Sequence, residues 1–357
     1  MLNLRNVSPS DFYASLTGKK LYLFGAGIAC SSYHEVFCRF YPVESVVDNN
    51  SKLWGKKYSL NGKDVNVIGM GDFVSEVKSV GVNEIVLLIT SSHYGLEIAN
   101  ALNAIPELSG LECYQGLFLR FFPVKHGILS FSKGARKIPK KIHYCWFGGN
   151  KLPSHLQQYV DGWKRLCPDY DIIEWNESNY DVSKNKYMEE AYYAKKWGFV
   201  PDYARLDIIY QNGGIYLDTD VELVKRPDVF LNDAAFFGFY GNDVIALGLG
   251  FGAVKGHSLI KSLRDYYDDK SFVNNDGTYN MSPCNFYNHP VLKEYGFLLE
   301  NKLQKVGDVV LYPSDVLLQD GLPLTENTIA HHHSEASWLS PDMKKRYFDF
   351  FNQVQSV

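Results

Sequence analysis

Two closely spaced aspartates are the strongest chemical signal in the 357-residue chain. Asp218 and Asp220 lie in the segment GGIYLDTDVE, directly after an apolar stretch. In an extended chain, alternate side chains project from the same side, so we expect both carboxylates to face one way. A hard divalent cation relieves their repulsion, and Mg²⁺ or Mn²⁺ would accept diphosphate oxygens as further ligands. Such a cation would suit transfer in which a nucleoside diphosphate leaves, as in glycosyl transfer. For the pair taken alone, a solvated strand end is the alternative.

Two further groups strengthen this interpretation. Asp202 and Arg205 are three residues apart and share a face if the segment is helical, where a surface ion pair is the simpler explanation. Beside an Asp-x-Asp strand, the same pair suits a sugar ring and a phosphate. A histidine run in IAHHHSEASW, residues 329–338, offers further metal or diphosphate ligands, with a solvated run as the alternative.

Four segments together resemble a known enzyme family. They are IPKKIHYCWFGG, PDYARLDIIYQNGGIYLDTDVELVK, ALGLGFGAVKGH and IAHHHSEASW. In combination they resemble the DXD-containing sugar transferases of glycosyltransferase family 32, which include capsule and exopolysaccharide enzymes, over residues 138–341. The resemblance implies a GT-A type fold, retention of anomeric configuration, and dependence on Mn²⁺ or Mg²⁺.

The resemblance also implies roles for individual residues. Asp202 and Arg205 would contact the donor sugar, and Asp218 and Asp220 would bind the metal. Either His332 or His333 would complete the metal or diphosphate site. The residues implied in donor binding are Ile142, His143, Trp146, Gly214, Tyr216, Ser337 and Trp338.

Apolar patterning predicts an α/β protein with two domains. Strands at 21–27, 43–50 and 84–92 alternate with helices at 28–40 and 94–103, which predicts a smaller Rossmann-like parallel-sheet domain over residues 1–115. A basic aromatic linker, 116–137, and the GT-A type transferase domain, 138–357, complete the chain. In the latter we expect strands at 141–149, 170–177 and 215–223 and a helical stretch over 189–214, broken near Gly198 and Pro201.

The glycine turn of the first domain has a weak nucleotide-binding signature. The sequence FGAG contains G-x-G but lacks the third glycine of a dinucleotide fingerprint. Asp48 follows at about the spacing of a ribose-binding acid, roughly 20 residues on. A structural or docking role is the favoured interpretation of this domain, and nucleotide binding is the alternative.

Composition narrows the class of partner. A net charge of −4 gives no general attraction to nucleic acid. No stretch has the roughly 18 apolar residues of a membrane span, and no signal peptide is evident. Scattered cysteines without a CxxC pair suit a reducing compartment, so we expect a cytoplasmic protein. Residues 113–160 lack acidic side chains, which favours a solvated basic face, with contact to the inner face of the membrane as the alternative.

The sequence predicts a retaining, metal-dependent hexosyltransferase. Its partners would be a nucleotide-sugar donor, with a UDP-sugar favoured over GDP-mannose, and a glycan acceptor, such as a lipid-linked precursor of a surface or capsular polysaccharide. A catalytically degenerate nucleotide-sugar-binding protein is the main alternative. A phosphoryl transferase with an Asp-x-Asp nucleophile and a nicotinamide oxidoreductase fit less well.

Overall fold

The computed structural model describes residues 1–91 and 94–335, together with the single residues 342 and 345. The chain forms two compact units that divide between Val124 and Lys125. Within the described residues, none of the helices has the length and apolar character needed to cross a bilayer.

The first unit is built on a seven-stranded sheet. Its strands lie in the order β1-β7-β6-β2-β3-β5-β4, and only the β4–β5 pair is antiparallel. The strands are β1 (Asn3–Arg5), β2 (Lys20–Phe24), β3 (Val43–Val47), β4 (Lys57–Leu60), β5 (Lys63–Ile68), β6 (Ile85–Ile89) and β7 (Glu112–Gln115).

Helices alternate with most of these strands, as the patterning predicts. Strands predicted at 21–27, 43–50 and 84–92 correspond to β2, β3 and β6. The helix predicted at 28–40 is α-helical only to Tyr33 and continues as a π-helical turn, His34–Cys38. The helices are α1 (Pro9–Ser15), α2 (Ile28–Tyr33), α3 (Met70–Val80), α4 (Gly95–Asn103) and α5 (Gly116–Phe121).

The second unit contains a mixed eight-stranded sheet and a small three-stranded sheet. The large sheet has the order β15-β16-β12-β14-β10-β8-β9, with β13 paired to β12, and the small one has the order β11-β18-β17. The strands are β8 (Lys141–Cys145), β9 (Asp171–Trp175), β10 (Gly214–Tyr216), β11 (Val221–Leu223), β12 (Ala235–Tyr240), β13 (Val244–Ile245), β14 (Phe251–Ala253), β15 (Gln304–Val306), β16 (Val309–Tyr312), β17 (Leu317–Gln319) and β18 (Ala330–His332).

Apolar side chains cover both faces of the large sheet. Along β12, Phe236 packs into one buried cluster and Phe237 into the other, because neighbouring strand residues face opposite ways. One cluster includes residues of α6, and the other includes residues of α7 to α10. The helices are α6 (Ser154–Leu166), α7 (Lys186–Tyr193), α8 (Pro201–Asn212), α9 (Ser258–Asp265) and α10 (Cys284–Tyr295).

The strand predicted over 215–223 is wrong as a single element. β10 ends at Tyr216, and the backbone turns so that the Val221 N–H donates to the Asp218 carbonyl at 3.1 Å. β11 then leaves the large sheet and pairs with β18 in the small sheet. The Asp-x-Asp motif therefore lies on the connection between two sheets and not within an extended strand.

Candidate functional site

A buried helix provides the first part of the site. Pro201 occupies the first turn of α8, where its missing N–H costs no hydrogen bond, and Gly213 ends the helix with φ of 64°. Arg205 Nη2 donates to Asp202 Oδ1 at 2.9 Å, and Arg205 Nε donates to the Pro201 carbonyl at 3.0 Å. The side chains of Asp202 and Arg205 are each only 5% exposed, so this predicted pair is an internal one and not a surface ion pair.

Asp218 lies against this pair. The Tyr216 hydroxyl at the end of β10 donates to Asp218 Oδ1 at 3.0 Å, and Arg205 Nη1 lies 3.5 Å from Asp218 Oδ2. A Cβ atom on Gly248 would lie only 2.6 Å from the same Oδ2. The carboxylate is therefore held from several directions, and any side chain at position 248 would displace it.

Asp220 is positioned by the small sheet. Its Oδ1 lies 3.2 Å from His332 Nε2, and its Oδ2 accepts the Glu335 N–H at 2.9 Å. The following residue, Val221, pairs with His332 across β11 and β18. Trp163 of α6 donates its indole N–H to the Val221 carbonyl at 2.8 Å, which fixes β11 against the large domain core.

Asp218, Asp220 and His332 form a group suited to a metal ion. Each offers one ligand atom, and these atoms all lie within 4.8 Å of one another. His332 Nδ1 accepts the Ser334 N–H at 3.1 Å and lies 3.2 Å from the Ser334 hydroxyl. Because Nδ1 accepts this N–H, Nε2 carries the ring proton in this arrangement. Binding of a metal through Nε2 would move the proton to Nδ1, which would then donate to the Ser334 hydroxyl as its outer partner.

The charges of the site are unbalanced. With all three aspartates ionised, Asp202, Asp218 and Asp220 face the single guanidinium of Arg205. Burial raises the pKa of Asp202 to about 7, against the opposing effect of Arg205 and with a further increase from Asp218. Burial likewise raises the pKa of Asp218, again against Arg205, and Asp220 adds to the increase. A divalent cation would offset the surplus negative charge.

The predicted donor-binding residues on β8 are internal. Ile142 and His143 are fully buried. The Trp175 indole donates to His143 Nδ1 at 3.0 Å, so Nε2 carries the proton and donates to the Gly213 carbonyl at 2.9 Å. Burial lowers the pKa of His143 to about 4, which keeps the ring neutral.

The next two predicted donor-binding residues lie at the ends of strands. Trp146 is half-buried and donates its indole N–H to the Asn150 carbonyl at 2.7 Å. Gly214 has φ of 112°, and a Cβ there would lie 2.9 Å from His143 Nε2. His143 and Gly214 therefore form part of the packing that orients β10 toward the Asp-x-Asp turn.

The histidine run divides between two faces of β18. His332 lies with Asp218 and Asp220, whereas the side chain of His333 lies with Glu222 in a separate group. The predicted donor-binding residues Ser337 and Trp338 lie outside the described residues. Sequence reasoning missed Ser334, whose position after the histidine run gave no separate signal.

The glycine turn of the first unit is stabilised by the protein's own groups. Asp48 Oδ2 accepts the Ala26 N–H at 2.7 Å, and Asp48 Oδ1 accepts the Asn50 N–H at 2.7 Å. The Tyr58 hydroxyl donates to the Gly27 carbonyl at 2.7 Å. Both oxygens of the Asp48 carboxylate, which would bind a ribose in a dinucleotide site, therefore accept hydrogen bonds from nearby backbone N–H groups.

Comparison with protein families identifies the central part of this site. Residues 153–237 match the family described as a glycosyltransferase sugar-binding region containing a DXD motif. The matched segment includes Asp202, Arg205, Asp218 and Asp220.

Two relatives in sequence are also named as sugar transferases. The chain is 31% identical over 115 residues to inositol phosphoceramide mannosyltransferase 1 of Schizosaccharomyces pombe, over 28% of this chain and 33% of the relative. It is 31% identical over 109 residues to an uncharacterized glycosyltransferase of Acanthamoeba polyphaga mimivirus, over 29% of this chain and 43% of the relative. The chain thus spans less than half the length of these curated relatives.

A solved structure also resembles part of the chain. It is a glycosyltransferase involved in the glycosylation of the major capsid of PBCV-1, with 12% identity and a TM-score of 0.32, covering 61% of this chain and all of that one. This similarity is too low to define the fold. Residues 153–237 thus match a DXD-containing sugar-binding region of glycosyltransferases, and both relatives in sequence are named as sugar transferases.

Proposed function

We propose that the protein is a retaining, metal-dependent hexosyltransferase of glycosyltransferase family 32. The proposal includes a GT-A type domain over residues 138–357, after a Rossmann-like domain over 1–115 and a linker over 116–137. The donor would be a nucleotide sugar and the acceptor a glycan. The single observation that carries the proposal is the convergence of Asp218, Asp220 and His332, whose ligand atoms lie within 4.8 Å of one another.

The chemistry of these three residues fits a divalent cation. Carboxylate oxygens suit both Mg²⁺ and Mn²⁺, whereas the imidazole nitrogen of His332 favours Mn²⁺. A bound cation would supply electrostatic stabilisation of the departing diphosphate. The three carboxylates around Arg205 also support a bound cation, because one guanidinium cannot neutralise three negative charges.

The remaining side chains would orient the donor. Arg205 is fixed by Asp202 at 2.9 Å and reaches to 3.5 Å from Asp218, which supports a role in contacting the donor sugar and its phosphate. Its guanidinium carbon lies 5.2 Å from the centre of the Tyr216 ring, and this aromatic contact further limits its movement. A guanidinium fixed before the donor binds loses little entropy on binding.

Retention would follow from attack on the face from which the diphosphate leaves. The bond between the sugar C1 and the phosphate oxygen breaks, the acceptor oxygen bonds to C1, and the hydroxyl proton passes to the departing phosphate. The motive for this proposal is that the site's carboxylates already have other roles: Asp202 binds Arg205, and Asp218 and Asp220 belong to the metal group. A covalent glycosyl-enzyme adduct trapped by mass spectrometry would contradict it.

The donor and acceptor are proposed by class. A UDP-hexose is the favoured donor. The fission yeast relative is named as an inositol phosphoceramide mannosyltransferase, which supports a mannosyl donor as the second candidate and an acceptor carried on a lipid. We propose that the acceptor is a lipid-linked precursor of a surface or capsular polysaccharide, which the enzyme would bind at the cytoplasmic face of the membrane. The acid-free basic stretch over 113–160 supports contact with anionic headgroups.

Donor hydrolysis tests the proposal directly. Purified protein would be incubated with a panel of UDP- and GDP-sugars in Mn²⁺, in Mg²⁺ and in EDTA, beside Asp220→Ala. A matched control is Asp171→Ala, because Asp171 is an exposed aspartate at the start of β9. We expect one donor to be cleaved only with metal, by the wild type and the control but not by Asp220→Ala.

The opposite result would separate the alternatives. If no donor is hydrolysed but calorimetry detects metal-dependent binding of one, the chain is a degenerate nucleotide-sugar-binding protein. If no donor is bound at all, the assignment of the Asp218–Asp220 site is wrong.

A further inference from the structure

The outer face of β18 carries a second group of metal-ligating side chains. Side chains alternate along a strand, so the two histidines that flank His332 project away from the Asp-x-Asp site. Glu222 of β11 stands directly opposite His331 in the antiparallel register. Glu222, His331 and His333 each offer a ligand atom, and these atoms all lie within 4.8 Å of one another.

The contacts within this group are incomplete without a further partner. His333 Nε2 lies 2.9 Å from Glu222 Oε2, and the His331 and His333 rings lie 4.3 Å apart. His331 Nε2 is buried and has no hydrogen-bond partner, although Asp320 Oδ1 lies 3.8 Å away. A buried polar nitrogen without a partner is unfavourable, and a metal ion is one of the few groups that could satisfy it here.

The ligands are also partly fixed before binding. The His333 ring stacks on Tyr159 at 4.7 Å with an interplanar angle of 13°, which limits its rotation. Ligands on a tetrahedral zinc ion, with bonds of about 2.1 Å, lie about 3.4 Å apart. The ligand atoms of Glu222, His331 and His333 lie within 4.8 Å of one another, so their separations exceed that arrangement by about 1.4 Å at most. The Glu222 side chain is 50% exposed, so it can change its conformation to bring its carboxylate closer to the two imidazoles.

We propose that Glu222, His331 and His333 bind a second divalent cation, with zinc as the preferred ion and Asp320 as its fourth ligand. Two imidazoles and carboxylates are a usual ligand set for zinc, whereas Mg²⁺ prefers oxygen alone. The cation would connect β11 to β18 on the face opposite the Asp-x-Asp site. Because the same two strands position Asp220 and His332, the second ion would stabilise this strand pair, whether or not the transferase reaction takes place.

Zinc content tests this proposal independently of activity. The protein would be prepared without a histidine tag, stripped with a chelator and equilibrated with zinc, and its metal content measured. Asp220→Asn provides the background, because it weakens the first site while an amide oxygen can still accept the Glu335 N–H. We expect this variant to keep one zinc ion per chain, and addition of His331→Gln and His333→Gln to abolish it.

Two further variants keep the test decisive. His155→Gln in the same background removes an exposed histidine that belongs to neither group, and it should keep the zinc ion. Glu222→Gln removes a proposed ligand and should weaken zinc binding roughly ten-fold or more. Circular dichroism should show that this variant keeps the wild-type secondary structure. The proposal is overturned if the Asp220→Asn protein takes up no zinc, or if the double histidine variant, folded by the same criterion, retains it.

Discussion

Gly248→Ala is the sharpest steric test of the site. The new methyl group would lie 2.6 Å from Asp218 Oδ2 and 3.5 Å from Arg205 Nη1. An unstrained contact needs about 3.4 Å, so the carboxylate must move by roughly 0.8 Å. Movement is opposed by the Tyr216 hydroxyl, which donates to the same carboxylate at 3.0 Å. The backbone of Gly248 does not lie in the left-handed region, so alanine is conformationally acceptable there.

The expected loss follows from this displacement. A misplacement of about 1 Å in a catalytic arrangement costs about 10²-fold in rate, which corresponds to roughly 2.7 kcal/mol of transition-state stabilisation. We therefore expect kcat/KM for metal-dependent donor hydrolysis to fall by about two orders of magnitude. The apparent Mn²⁺ affinity should fall as well, because Asp218 is one of the proposed ligands.

A second glycine variant controls for the substitution itself. Gly162 lies on α6, and a Cβ there would meet only Arg165 Nη2, at 3.8 Å. Gly162→Ala should leave hydrolysis and Mn²⁺ affinity unchanged and raise the melting temperature slightly, because alanine favours a helix over glycine. The reasoning fails if folded Gly248→Ala protein hydrolyses the donor as fast as the wild type does.

Two further predictions concern the residues around the metal group. Tyr216→Phe removes the hydroxyl that orients Asp218 and should weaken Mn²⁺ binding about ten-fold, as calorimetry can measure; unchanged affinity would contradict this role. The pKa of His143 is about 4 in the folded protein, below its ordinary value of 6.5. The unfolded chain therefore takes up the proton first, and stability that is complete above pH 6.5 is lost as the pH falls toward 4. Urea unfolding should show that His143→Gln lacks this loss of about 3 kcal/mol; an equal loss in wild type and variant would refute the assignment.

Local signals predicted much of the architecture. Apolar strands and glycine turns located β2, β3 and β6. The break predicted near Gly198 and Pro201 lies between α7 and α8, because proline starts a helix more readily than it continues one. The spacing of Asp202 and Arg205 predicted their contact, since residues three apart on a helix are neighbours.

Local sequence signals could not predict the course of the chain after Tyr216. An apolar stretch followed by an alternating one is consistent with a single strand, and nothing local shows that β11 leaves for another sheet. The departure depends on β18, which lies more than a hundred residues later in the sequence and supplies the pairing partner of β11. The two aspartates converge at a turn, and not through the alternation of a strand from which their proximity was inferred.

The same long-range pairing decides the role of each histidine. Three successive histidines look equivalent in sequence, and only the register of β18 against β11 directs His332 to Asp220 and its neighbours to Glu222. The close approach of Gly248 to Asp218 likewise depends on tertiary packing, for which a glycine in a glycine-rich segment gives no specific signal.

Pulsed electron paramagnetic resonance of bound Mn²⁺ tests the central claim most directly. In the presence of UDP, we expect the wild-type spectrum to contain the nitrogen coupling of one directly bound imidazole. His332→Ala should lose this coupling, His333→Ala should keep it, and Asp220→Asn should bind Mn²⁺ much more weakly. Absence of nitrogen coupling in the wild type, or its loss in His333→Ala but not in His332→Ala, would contradict a metal site formed by Asp218, Asp220 and His332.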